Sequence, residues 1–206
     1  ARVDEGLVYA ATLASFDGTA LDLGGLDPRD RYSYRQVAAR GWTPAHGTQI
    51  CAACLADTGT WKTAWRLLLV TACTDHGLVL AGHCPSCRRP FRDQRHSHLR
   101  VVGAATVCGN PLGQGPLKQC HRDLTTITTT PASPAVLATR ARVDAALAGE
   151  PVTVLGQPAE PAAYLADLRH LTTLVLHLAG QPGADALAPW VSDLAVIAVD
   201  RTAARG

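Results

Sequence analysis

Seven cysteines and one histidine fall into two four-ligand sets with no cysteine left over. Cys51 and Cys54 form a CxxC pair followed by the CxxH pair Cys73 and His76. Cys84 and Cys87 form a second CxxC, followed by Cys108 and Cys120. A CxxC pair presents two thiolates on one face of a turn, and a second pair further along completes a tetrahedron, which is the pattern of a closed structural zinc site. Two such sets in tandem predict two structural Zn2+ ions. The rival use of cysteines is a disulfide framework. The opening "ARVDEGLVYA" has neither a basic n-region nor an apolar h-region, and the longest apolar runs are too short to span a bilayer. The expected compartment is therefore the reducing cytoplasm, with no membrane contact, where CxxC repeats mean metal or redox chemistry.

Catalytic zinc keeps one coordination position open and needs an acid or base beside it. Here four ligands are available for each metal. The chain has neither HExxH nor HxE, so "HCPSC" lacks the partner that a zinc deaminase requires. Its only glutamates are Glu5, Glu150 and Glu160, all outside the cysteine-rich segment. Asp57, Asp75, Asp93 and Asp123 fall in no recognisable constellation, and His83, His96, His98 and His170 read as surface or packed histidines. The expectation is that the protein is not an enzyme.

Charge is unevenly placed. Residues 1–50 hold five arginines against six acids, and residues 133–206 five against seven; between Cys51 and Pro131 nine Lys or Arg face four Asp. An anionic partner would meet that middle segment. Its densest stretch, "RRPFRDQRHSHLR", puts Arg88, Arg89, Arg92, Arg95 and Arg100 in one loop. These five are the candidate nucleic-acid contacts, against the plainer alternative of a solvated loop.

The elements that must hold these residues divide the chain into three parts: an N-terminal lead-in (1–50), a tandem zinc module (51–132) and a C-terminal helical part (133–206). The expected fold is mainly α, with small irregular zinc-binding modules. In the lead-in, "YAATLA" is a short strand or helix, and Tyr34 to Arg40 a helix with Ser33 as N-cap and Gly41 as stop. Thr60 caps a short helix carrying Trp61 and Trp65, which belong to the core, and "LLLVTAC" runs extended into Cys73. The stretch "TTITTTPASP" marks a linker. Beyond it Ser133 and Pro134 start a helix ending near Leu147, with Gly149 as stop. A second helix from Pro161 carries Tyr164, Leu168, Leu171, Val175 and Leu178 as an apolar seam, which packs on its own chain or on another copy in a homodimer. Trp190 to Val199 is a third helix.

Residues Ile50 to Phe91 resemble the TniQ family. The family's CxxCL falls on Cys51 to Leu55, its Trp-rich helix on Trp61 to Trp65, its CxxHG on Cys73 to Gly77 and its CPxC on Cys84 to Cys87. The resemblance covers Tyr9 to Ala179 and is weakest before Tyr32 and after Gln181. It implies a target-selection adaptor in bacterial DNA transposition, one that binds target DNA or a guide-RNA effector complex and recruits an AAA+ ATPase regulator. The second set departs from the family pattern, because "GNPLGQGPLKQ" separates Cys108 from Cys120 where a short CxxC is usual. The following "CHRDL" still matches the family's CGxxL ending and favours Cys120 over His121 as ligand. No helix-turn-helix is evident. The competing function is a zinc-ribbon transcription regulator that binds DNA alone.

Overall fold

The computed structural model describes residues 4–30, 32–44, 47–92, 103–113 and 118–179. Arg95, Arg100, His96, His98 and the helix expected at Trp190 to Val199 lie outside these. The described residues form five α-helices, two 3-10 turns and two two-stranded antiparallel sheets. None of the described helices is long and apolar enough to cross a membrane.

Helix α1 (Glu5–Ala10) begins at Asp4, whose carboxylate accepts from the Gly6 N–H at 2.7 Å, and a 3-10 turn (Leu13–Phe16) follows. Helix α2 (Ser33–Arg40) starts one residue earlier than the sequence suggests, with Tyr32 rather than Ser33 at the N-cap. The Ser33 hydroxyl is drawn away from the helix end. It accepts from Asp27 N–H at 3.0 Å and donates to Asp30 O at 2.7 Å, which closes the preceding loop. Gly41 does end the helix, in extended rather than left-handed backbone. Its requirement is space: a Cβ there would come within 2.8 Å of the Leu21 side chain.

The middle of the chain builds around short extended pieces. Ile50 bridges Ala81 and Thr48 bridges Phe91, so the approach to Cys51 is tied to both flanks of the Cys84–Cys87 knuckle. Helix α3 (Ala52–Thr58) follows Cys51 directly. The expected Trp61–Trp65 helix is instead a 3-10 turn (Thr63–Arg66) with no side-chain cap. Thr60 bonds back to Thr58 and so leaves Lys62 at the start of the turn. Trp65 is buried and Trp61 half-buried, with ring centroids 6.5 Å apart edge to face. Strands β1 (Ala72–Cys73) and β2 (Leu78–Val79) form a hairpin whose loop carries His76.

The threonine stretch is no free spacer. Leu78 bridges Pro131, Val79 N–H donates to Thr130 O at 2.8 Å, and Ile127 is buried, so the segment lies along β2. Helix α4 (Pro134–Leu147) follows the sequence closely: Ser133 Oγ accepts from Val136 N–H at 3.3 Å, Pro134 opens it, and Gly149 with φ 77 stands beyond its end. A hairpin absent from the sequence reading comes next, β3 (Val152–Val154) and β4 (Gln157–Ala159), and then α5 (Pro161–Ala179). Leu165, rather than the expected seam, is the fully buried leucine of α5. Tyr164, Leu168 and Val175 are half-buried, and Leu171 and Leu178 are exposed.

One core cluster runs through all of this, from Leu21 and Trp42 through Ile50, Leu67 and Leu124 to Val143 and Leu165. Two polar ties reinforce it. Trp42 Nε1–H donates to Leu165 O at 2.9 Å, and the buried Arg140 donates from Nε to Ala72 O at 3.1 Å while pairing with Asp144.

Candidate metal centres

The first set is built by a helix and a hairpin. Cys51 is the N-cap of α3 and Cys54 lies one turn on, so the pair faces one side of the helix start. Cys73 ends β1, and His76 stands in the loop before β2. Cys54 Sγ lies 3.5 Å from Cys73 Sγ; His76 Nδ1 lies 3.7, 3.3 and 3.6 Å from the sulfurs of Cys51, Cys54 and Cys73. All three cysteines are buried.

The second set has a different frame. Cys84 to Cys87 form a turn closed by Arg88 N–H to Cys84 O at 2.8 Å and Cys84 N–H to Arg89 O at 3.0 Å. The two described ends of the insertion between Cys108 and Cys120 pair antiparallel. Val107 bridges Asp123 and Pro111 bridges Gln119, while Gly109 N–H donates to Cys120 O at 2.8 Å. Its two cysteines therefore meet across the ladder at the base, which gives a CxxC's outcome at a long spacing. Cys84 Sγ lies 3.8 Å from Cys120 Sγ, and Cys87 Sγ 3.8 Å from Cys108 Sγ. His121 is exposed and outside the set.

These distances test the chemistry. A disulfide would place sulfurs about 2.05 Å apart, and all seven cysteines are free. Tetrahedral zinc with Zn–S near 2.3 Å separates sulfurs by about 3.8 Å along each edge. The observed separations match the second figure, and the ligand atoms of each set all lie within 4.8 Å of one another. Both sets could hold a metal ion. Three sulfurs with one imidazole nitrogen, and four sulfurs, are donor sets that suit zinc.

The electrostatics favour a cation in the same places. Burial pushes the Cys54 thiol up to about 12, and pushes Cys51, Cys108 and Cys120 upward as well. At Cys73 burial also works upward, but hydrogen bonds from the His76 side chain and backbone outweigh it and the thiol is lowered. A metal that displaces these protons offsets, with its own charge, the cost of holding crowded thiolates out of water.

Two neighbours orient the ligands, and neither was read from the sequence. His76 Nε2–H donates to Asp57 Oδ2 at 2.9 Å, which fixes the ring with Nδ1 toward the sulfurs. Asp57 stands one turn after Cys54 on α3, a spacing that could have pointed to it. Asn110, in the insertion, is almost fully buried; its Nδ2 donates to Cys87 Sγ at 3.5 Å and Pro90 O at 2.9 Å.

Of the five loop arginines, three are described. Arg89 Nη1 donates to Pro111 O at 2.7 Å and so joins the knuckle to the insertion. Arg88 is exposed with φ 59, and Arg92 lies over the Trp61 ring.

The family model TniQ matches residues 1–80. The matched segment contains the whole first ligand set and stops short of Cys84, so the family signature ends between the two centres. It also takes in the lead-in before Tyr32, where the sequence resemblance is weakest. No curated protein and no solved structure matches the chain.

Proposed function

We propose that this TniQ-family chain is a zinc-stabilised adaptor of bacterial DNA transposition. It binds target DNA or a guide-RNA effector complex and recruits an AAA+ transposition regulator. The observation that carries the reading is the TniQ match over residues 1–80 together with a complete Cys51–Cys54–Cys73–His76 cluster inside it. Two Zn2+ ions hold the middle of the molecule in this reading. Four protein ligands at each leave no open position for substrate, which supports a binding protein over a zinc enzyme. The basic segment around Arg88, Arg89 and Arg92, continued by Arg95 and Arg100, is the nucleic-acid face.

The test is affinity capture of the zinc-loaded full chain from its own cells, followed by mass spectrometry. Co-recovery of an AAA+ ATPase with a transposase or a guide-RNA complex is the expected result. Recovery of chromosomal DNA alone would overturn the adaptor reading in favour of a zinc-ribbon regulator.

A further inference from the structure

Three stretches that lie far apart in the chain close round a cleft without filling it. The turn from Gly18 to Asp22 makes one wall, closed by Gly18 N–H to Leu21 O at 2.9 Å with Gly18 at φ 74. Trp42, just beyond α2, donates its backbone N–H to Ala20 O at 3.1 Å and its indole N–H to Leu165 O of α5 at 2.9 Å. Arg169, one turn further along α5, donates from Nη2 to Ala39 O in the last turn of α2. Between these ties lies a cavity of about 250 Å³, and every residue that lines it is described.

Its floor is apolar. Ala20, Leu21, Trp42 and Leu165 line it, and all four are buried. The one side-chain donor among them, the Trp42 indole N–H, is spent on Leu165 O. The rim is charged. Arg40 is exposed and Arg169 half-buried, while the rim's carboxylate, Asp22, accepts from Gly24 N–H at 3.0 Å within its own loop. The ion pairs among the described residues are Lys62–Asp75, His76–Asp57 and Arg140–Asp144, so neither rim arginine is in one. Two guanidiniums above an apolar floor suit a ligand that sets carboxylates beside an apolar group. Volume decides what kind of ligand that is. Pockets for cofactors and small molecules run about 300–1,000 Å³, so this one fits a single side chain. A nucleobase would need hydrogen bonds to its edges, and the floor has no side-chain donor left to make them. An apolar anchor in a pocket with a polar rim is how protein–protein contacts concentrate their binding energy.

We propose that this cleft is the docking site for a protein segment that carries one large apolar side chain flanked by carboxylates. The anchor lies against Leu21, Trp42 and Leu165, and the carboxylates meet Arg40 and Arg169. This rests on the adaptor reading above, and it gives that adaptor a protein-contact surface built by the lead-in and α5 rather than by the basic segment.

An NMR titration of the zinc-loaded full chain with a short peptide, one phenylalanine flanked on both sides by aspartates, tests it. The Trp42 indole N–H and the Arg169 Nε–H resonances should shift. Alanine in place of the phenylalanine should weaken binding about tenfold or more, the loss of one buried side chain, and lysines in place of the aspartates should abolish the shifts. Ala166 lines the cleft from an exposed position on α5, and leucine suits a helix nearly as well as alanine. Ala166→Leu should therefore fill the cleft and weaken binding about tenfold, while Ala163→Leu, exposed on the same helix outside the cleft, should behave as wild type. Arg40→Gln should weaken it about threefold, as for a surface charge pair. No shift at Trp42 in the wild type, or equal affinity in Ala166→Leu, overturns the proposal. A short single-stranded RNA that moves the same resonances where the peptide does not would mean a nucleic-acid pocket, and overturns it too. The affinity capture above, run with wild type and Ala166→Leu side by side, separates the two readings. Loss of the ATPase from the variant alone supports the cleft. Equal recovery from both overturns the cleft and leaves the adaptor standing. An ATPase recovered from neither overturns the adaptor, and the peptide titration then decides the cleft by itself.

Discussion

At the residue scale, the centre with the clearest supporting contact is the first, where Asp57 holds His76. A carboxylate on the remote nitrogen of a ligating histidine fixes its tautomer and raises its basicity, and removing such a partner costs roughly 10–100-fold in metal affinity. Asp57→Asn keeps the size and loses the charge, so the first site should lose affinity by about that factor while the second is unchanged. Competitive titration against a chromophoric chelator resolves the two sites; equal loss at both would refute the assignment. Proton competition has a definite sign. With the Cys54 thiol pushed up to about 12, zinc displaces a proton at every lower pH, so acidification should release metal. The two clusters of four were legible in sequence because coordination restricts both residue type and spacing. Asp57 and Asn110 were not, since a carboxylate or amide beside a ligand has no fixed place in the chain and becomes visible only when α3 and the paired ends of the insertion are formed.

At the scale of elements, helix α4 was legible from Ser133, Pro134 and Gly149, because caps act within a few residues of themselves. The strand pairings were harder to read. The ladder from Val107 to Asp123 hides behind an insertion rich in glycine and proline, and β3–β4 turns through Leu155–Gly156 instead of the asparagine–glycine that announces such turns. Leu155 has φ 50 and Gly156 φ 80, the left-handed pair of a type I′ turn. A branched side chain is strained there, and Leu155 is 100% exposed, so no packing compensates. Leu155→Asn should therefore stabilise the protein by about 0.5–1 kcal/mol, an increase of roughly 1–4 °C in melting temperature for a chain of this size. Calorimetry at fixed zinc concentration checks it. A lower melting temperature would show that the leucine side chain is held by a contact the exposure does not reveal.

At the scale of the whole molecule, the three segments distinguished by composition share one core. The lead-in supplies Trp42, the helical part receives its indole N–H at Leu165 O, and Arg140 of α4 reaches back to Ala72, the residue before Cys73 of the first cluster. The sequence could not show this, because both ties link residues far apart in the chain and neither Trp42 nor Arg140 carries a mark of its partner. The burial has an energetic consequence. Breaking the Trp42 contact removes a buried hydrogen bond, while Leu165 O keeps its place in the α5 ladder, at a cost of about 0.5–1.5 kcal/mol. If the segments unfold as one unit, that cost must appear everywhere at once. Trp42→Phe should then lower the midpoint of helix loss seen by circular dichroism and the midpoint of zinc release by the same amount. A variant in which α4 and α5 melt early while both zinc ions stay bound would show instead that the helical part folds apart from the metal-bound centre, and that the shared core contributes little to cooperativity.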